Sequence, residues 1–138
     1  MRQQAWEEVK IVLNDYPRYD WYINQILNER LNPWRPSDEN VGGGKSSSSD
    51  NSKLERVVVS IADDMTLRKL EFQRNMVKRK LDRSPEWLKE LIAYMHFGTE
   101  KMALRPASEL VGKSWRLAKK EYSNFMEELA GELGIIRF

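Results

Sequence analysis

The sequence predicts an all-α protein, and three observations support that fold class. Apolar side chains recur at spacings of three and four residues over most of the chain, which places them on one face of a helix. No segment sustains the alternation of apolar and polar residues that is typical of a strand. Prolines and glycines interrupt the pattern and divide the 138 residues into helices and connections. The length corresponds to one domain, or to one domain with an extended arm.

The composition excludes most catalytic and metal-binding sites. The chain holds no cysteine and a single histidine, His96, so thiol nucleophiles, thiolate zinc sites and histidine-clustered metal centres cannot be assembled. No apolar run exceeds the five residues 91–95, which argues against a membrane-spanning helix and a secretory signal. We therefore expect no enzyme, no cofactor, no metal and no membrane. With 23 basic and 21 acidic residues, a basic surface requires uneven placement of charge.

Residues 1–31 are predicted to form an aromatic-rich segment of two helices separated by Pro17. Proline lacks a backbone donor and disfavours helical geometry in the residue before it, so the first helix is expected to end there. The aromatic density indicates a core or an interface rather than a platform for nucleobases. The two apolar stripes consist of Trp6, Val9, Leu13 and Tyr16, and then Tyr19, Tyr22, Ile23, Ile26 and Leu27.

Residues 32–52 interrupt the helical pattern. They contain Pro33, Pro36, three successive glycines at 42–44 and four successive serines at 46–49. Such a stretch buries little apolar area and keeps high chain entropy. We predict an irregular loop followed by a flexible Gly/Ser linker.

Residues 53–83 are predicted to form one long basic helix with a net charge of +4. The three valines at 57–59 could form a short strand, but no partner segment exists and helix is favoured. An apolar stripe on so long a helix must pack on the N-terminal helices or on a second subunit. The expected stripe is Leu54, Val58, Ile61, Met65, Phe72 and Met76, with Leu67, Leu70, Val77 and Leu81 on a second one.

Residues 84–138 outline three further helices. Ser84 is expected to cap the first, with Pro85 at its first position and Gly98 at its end. Pro106 opens a brief second helix, and Gly112 makes a turn before Ser114, the cap of the last helix. The expected core residues are Trp87, Leu88, Leu91, Ile92 and Met95, then Ala107, Leu110 and Val111, and finally Ala118, Tyr122, Phe125 and Leu129.

Two stretches imitate a phosphate-binding P-loop without its context. One ends in Gly44-Lys45-Ser46 but has Glu39 where the motif needs glycine, and the other spans 107–114 after a predicted helix. Because the motif works between a buried strand and a helix, nucleotide hydrolysis is disfavoured. The acidic pairs at 63–64 and 127–128 diverge on helices and predict no metal site. His96 is expected to be a capping or partly buried side chain.

The last two helices and their turn have the outline of a helix-turn-helix, which presents its second helix to the major groove of DNA. The beginning of that helix is basic, since residues 113–120 hold four basic side chains and no acid. The alternative is an ordinary helical hairpin with a solvated basic face. The candidate DNA-binding residues are Lys113, Ser114, Trp115, Arg116, Lys119, Lys120 and Ser123.

Three blocks of sequence resemble the RinA-type regulators of phage transcription. Pro33-Trp34 precedes Asp-Glu-Asn-Val-Gly-Gly-Gly-Lys at 38–45, and the end Glu-Glu-Leu-Ala-Gly-Glu-Leu-Gly at 127–134 is similar to that of RinA-type and ArpU-type regulators. The resemblance implies an activator of late genes for packaging and morphogenesis. It also implies a C-terminal domain similar to region 4 of sigma factors, which binds double-stranded DNA at a late promoter in the cytoplasm of the bacterial host.

The chain departs from the family pattern in the candidate DNA-binding domain. Ala103 and Pro106 stand where relatives carry a large apolar residue and an isoleucine, and the proline shortens the first helix of the pair. Trp115 stands where relatives carry small Ser or Thr residues. We expect Trp115 to pack, or to lie against the DNA backbone, rather than to read a base.

Two other classes of protein fit the same pattern. A small-terminase-like packaging or assembly protein would use the helix-turn-helix within a ring, with the 53–83 helix as its interface. A protein-binding helical module would present the aromatic N-terminal segment instead. The sequence leaves open the operator, the host, the role of residues 38–45, any homo-oligomer and any contact with host RNA polymerase.

Overall fold

The computed structural model describes residues 2–31 and 49–135, and the side chains of residues 2–29 and 63–135. Within those ranges the secondary structure is entirely helical, with no strand, and this confirms the predicted all-α class. Most of the predicted linker lies outside the described residues, while its last residues, from Ser49, already belong to a helix. The helices are α1 (Gln3–Leu31), α2 (Ser49–Asp82), α3 (Glu86–Ile92), α4 (Leu104–Leu110) and α5 (Trp115–Glu132).

Helix α1 continues through Pro17, so the prediction of two N-terminal helices was wrong. A proline inside a helix costs about 3 kcal/mol, because it removes one backbone hydrogen bond and crowds the preceding turn. Apolar burial on both sides offsets that cost. Leu13 before the proline and Tyr19 after it are both buried, and each large side chain contributes roughly 1.5–3 kcal/mol. The Tyr19 hydroxyl also donates to Gln73 Oε1 at 3.0 Å.

The chain divides into two compact units. One brings residues up to Tyr19 together with residues from Phe72 onward, and the other spans residues 20–71. In the first unit, α3 packs against α4 and α5, and α4 packs against α5. The fully buried apolar side chains there include Val9, Leu13, Val77, Leu91, Ile92, Phe125, Met126 and Leu129.

Of the two predicted apolar stripes of helix α2, the second is the more buried one. Met65 and Phe72 of the expected stripe are 69% and 46% exposed, while Leu67 and Val77 of the second stripe are buried. The face that holds Met65 and Phe72 also carries three exposed cations, Arg68, Lys69 and Arg79. Leu54, Val58 and Ile61 of the expected stripe have side chains outside the described set.

The predicted cap of α3 is also wrong. Helix α3 starts at Glu86, and no side chain caps it. The Ser84 hydroxyl donates instead to the Lys80 carbonyl oxygen at 2.7 Å. The last carbonyl groups of α2 lack helical partners and compete for a nearby hydroxyl. A π-helical turn, Ala93–Phe97, prolongs α3 to Gly98, where the helix ends as expected.

In the part of the chain that the structure describes, no helix combines the length and the apolar character that crossing a bilayer requires.

Candidate nucleic-acid interface

Helices α4 and α5 are joined by a tight turn over residues 111–114. Gly112 has a φ of 72°, in the left-handed region that glycine adopts without strain, which confirms its expected role in the turn. The Lys113 N–H donates to the Ser108 carbonyl at 3.0 Å and closes the end of α4. The Ser114 hydroxyl accepts from the Leu117 N–H at 3.2 Å, as predicted for the cap of α5. Local chemistry therefore fixes where α5 begins.

Replacing Gly112 with alanine is expected to lower the free energy of unfolding by about 1 kcal/mol, because an L side chain strains the left-handed backbone. No atom lies within 4 Å of the added Cβ, so the cost comes from the backbone alone. Gly131→Ala is the matched control. Gly131 lies within α5 with equally open space, so that change should stabilise by up to about 1 kcal/mol. Chemical denaturation measures both, and equal signs would contradict the prediction.

The inner face of the two helices largely follows the sequence pattern. Ala118, Tyr122 and Phe125 are buried as predicted, and Ala107 is fully buried. Leu110 is instead 58% exposed, so its assignment to the core was wrong. It lies two positions after the buried Ser108, and two positions turn a helix by about 200°, to the far side. Val111 is half-buried.

The candidate residues share the outer face of the turn and of the first half of α5. Trp115 is 37% exposed. Ser114, Arg116, Lys119 and Lys120 are exposed, and Lys113 and Ser123 are half-buried. This placement leaves four basic side chains along one edge of the unit.

Indole rings lie against several of these cations. The Lys113 ammonium is 5.6 Å from the centroid of the Trp87 ring. The Lys119 ammonium and the Arg105 guanidinium carbon are 4.8 Å and 4.5 Å from the Trp115 ring. The sequence did not identify Arg105 or Trp87 as part of this site. Arg105 precedes the turn pattern, and Trp87 was assigned to an apolar helical stripe. Cation–aromatic contacts between different helices leave no periodic signal in a sequence.

The acidic end of α5 forms ion pairs with α2 and the turn after it, whereas its basic beginning does not. Toward its end, Glu128 and Glu132 form ion pairs with Lys80 and Arg83 from the end of α2 and the turn after it. At its beginning, Arg116 and Lys120 form no ion pair with any other described residue. Ion pairs with α2 and the following turn thus partly neutralise the acidic end of α5, whereas Arg116 and Lys120 at its basic end are not neutralised in this way.

The buried side chain of His96 forms hydrogen bonds on the inner side of α5. His96 is 3% exposed, and its ring nitrogens lie 2.8 Å from Asn14 Oδ1 and 2.9 Å from Tyr122 Oη. Burial, with smaller contributions from Lys10 and Lys101, lowers the pKa of His96 to about 4. The neutral ring therefore donates from Nδ1 to Asn14 and accepts the Tyr122 hydroxyl at Nε2. This histidine links α1, the end of α3 and α5.

The described part of the chain contains no arrangement that suggests metal or nucleotide chemistry. It holds no group of three or more His, Asp or Glu side chains that could bind a metal ion. The Lys113-Ser114 pair follows helix α4 rather than a strand, so the backbone context of a P-loop is missing there. The chemistry that the site offers is a group of basic side chains in the turn and at the start of α5.

The chain is similar in sequence to a known phage protein. The chain is 28% identical over 122 residues to the transcriptional activator rinA of Staphylococcus phage phi11, over 88% of this chain and 85% of that protein. This relationship confirms the resemblance to RinA-type regulators. No protein-family model matches the chain, and no solved structure matches it significantly.

Proposed function

We propose that this chain is a phage or prophage transcriptional activator that binds double-stranded DNA at the promoters of late packaging and morphogenesis genes. The observation that supports this proposal most strongly is the start of α5. It follows a tight glycine turn, is capped by Ser114, and presents exposed cations that form no ion pair with a described acid. The similarity to an activator from a Staphylococcus phage supports the regulatory role. The place of action is the cytoplasm of the bacterial host, with host RNA polymerase as a further partner.

In this proposal α4 and α5 act as a helix-turn-helix similar to region 4 of sigma factors. The first half of α5 enters the major groove, while the turn lies along the phosphate backbone. Arg116 reaches base edges, because its guanidinium can form paired hydrogen bonds with guanine. Lys113 and Lys120 contact phosphates, and Ser114 keeps its capping role. Salt should weaken such binding strongly, since every phosphate contact releases a counterion.

Fluorescence anisotropy with two labelled duplexes tests the proposal. One duplex comes from upstream of the packaging genes in the source genome, and the other is unrelated. Tight, salt-sensitive binding with a preference for the upstream duplex is expected. Absence of binding to either duplex at about 50 mM salt, where phosphate contacts are strongest, would contradict it. Equal binding to both, with the mass of a closed ring in solution, would favour a packaging protein.

Two substitutions should separate base reading from phosphate binding. Arg116→Ala is expected to cost about 1–3 kcal/mol on the upstream duplex and to reduce the preference for it. Lys120→Ala should weaken both duplexes equally and lower the salt slope by about one unit. Lys78→Ala, which removes the same charge from an exposed position on α2, serves as the control. If Lys119→Ala/Lys120→Ala binds like the wild type, this surface is not the DNA-binding site.

The activation of transcription is tested separately from DNA binding. Transcription by host RNA polymerase from the upstream duplex should rise when the wild-type protein is added and should not rise with Arg116→Ala. Binding without a rise in transcription would retain the DNA-binding part of the proposal and refute the activator part.

A further inference from the structure

Trp115 brings together two basic side chains from different helices. Arg105 lies on α4, with its guanidinium carbon 4.5 Å from the centroid of the Trp115 ring. Lys119 lies one turn along α5, with its ammonium nitrogen 4.8 Å from the same centroid. Both distances fall inside the roughly 6 Å at which an aromatic face attracts a cation. Neither Arg105 nor Lys119 forms an ion pair within the part of the chain that the structure describes.

The two cations carry like charges that repel each other, and no described acid lies within ion-pair distance of either one. The negative face of the indole ring lowers that repulsion in the free protein. An anion beside both cations would remove it further. All three residues are exposed, so a large polyanion can approach the cluster.

We propose that Trp115 is a positioning residue for duplex binding, whose indole holds Arg105 and Lys119 as a preformed pair of phosphate contacts. The inference rests on the proposed function and deepens it in two respects. It adds Arg105 of α4 to the DNA interface. It also assigns Lys119 to a contact with the DNA phosphate backbone rather than with a base. Ordering the two long side chains before DNA arrives reduces the entropy that binding would otherwise cost.

The experiment repeats the two-duplex titration with full-length variants at several salt concentrations. Arg105→Ala should weaken both duplexes equally, by about 3- to 10-fold at roughly 100 mM salt, and lower the salt slope by about 0.9. Trp115→Leu removes no charge, so it should weaken both duplexes by about 3- to 10-fold and leave the slope unchanged. Trp115→Phe keeps an aromatic face and should restore most of the affinity.

A double variant distinguishes positioning from general support of the fold. If Trp115 acts partly through Arg105, the loss in Arg105→Ala/Trp115→Leu is smaller than the product of the two single losses. The melting midpoint of each variant is followed by circular dichroism.

The inference is overturned if Arg105→Ala binds with wild-type affinity and slope while Lys120→Ala is weakened. It is equally overturned if Trp115→Phe binds no better than Trp115→Leu, or if the two losses simply multiply. In those cases the proposed DNA binding still stands. If the wild type binds neither duplex, the proposed function and this inference both fail.

Discussion

Acidification from pH 7 to pH 4 is expected to remove about 3 kcal/mol of stability through His96 alone. In the folded protein the pKa of His96 is lowered from 6.5 to about 4. Between those values the unfolded chain binds a proton that the folded chain does not, so the free energy of unfolding falls as the pH falls. Above about pH 6.5 the contribution is constant.

The surroundings of the ring explain why protonation is resisted. Burial is the largest cause of the lowered pKa, and the positive charges of Lys10 and Lys101 add to it. The Lys101 ammonium donates to the carbonyl oxygen of His96 itself at 2.7 Å, which keeps a positive charge nearby. A histidine cation would therefore be both poorly solvated and close to like charge.

Urea denaturation across this pH range measures the effect, with His96→Gln as the control. Glutamine can donate to Asn14 and accept from Tyr122, yet it does not titrate. Carboxylates contribute to the pH dependence of both proteins, so the difference between the two curves isolates the histidine. Curves that stay parallel between pH 6.5 and pH 4 would show that His96 does not carry the pH dependence.

The sequence was most informative where local chemistry decides the structure. The hydroxyl cap at Ser114, the turn at Gly112 and the buried stripe of Ala118, Tyr122 and Phe125 all match their predictions. Each depends on residues a few positions apart, so a pattern in the sequence contains the needed information. The exposed basic edge follows directly, because the side chains left outside that stripe face solvent.

The errors in the two long helices arose where distant residues decide. Proline strongly disfavours a helix interior, yet α1 passes through Pro17 because both halves of one stripe are buried. In α2 two apolar stripes compete, and the packing of the folded chain leaves Met65 and Phe72 exposed while Leu67 and Val77 are buried. The spacing of apolar residues defines both stripes equally well and contains no information on which of them meets another part of the chain.

The candidate site was likewise predictable only in part. Its α5 residues were found from the helix-turn-helix outline, whereas Arg105 was not. The contact between Arg105 and Trp115 joins residues on either side of the turn between α4 and α5. The Ser108 hydroxyl donates to the Arg105 carbonyl at 2.6 Å, and the sequence pattern did not predict this hydrogen bond either. Only the packing of α4 against α5 reveals that these residues share one face.

Phe125→Ala is expected to cost about 3–5 kcal/mol of stability, the largest effect of any single change considered. Phe125 is 2% exposed at the centre of the inner face of α5. Its removal loses apolar burial and leaves a cavity that the surrounding helices can fill only partly. Phe72→Ala is the matched control, since Phe72 is 46% exposed on α2 and should cost less than about 1 kcal/mol. Denaturant titration of both variants gives the comparison.

Phe125→Ala also distinguishes residues that hold α5 in place from residues that contact DNA. Phe125→Ala should lose duplex binding only under conditions where it unfolds, and binding should return when the sample is cooled and refolds. Lys120→Ala should lose affinity at every temperature while its unfolding midpoint stays near that of the wild type, because an exposed lysine contributes little to stability. If Phe125→Ala proves as stable as Phe72→Ala, the inner face of α5 is not the core that holds the basic edge in place. Loss of binding by a folded Phe125→Ala would instead mean that small shifts of α5 suffice to misplace its cations.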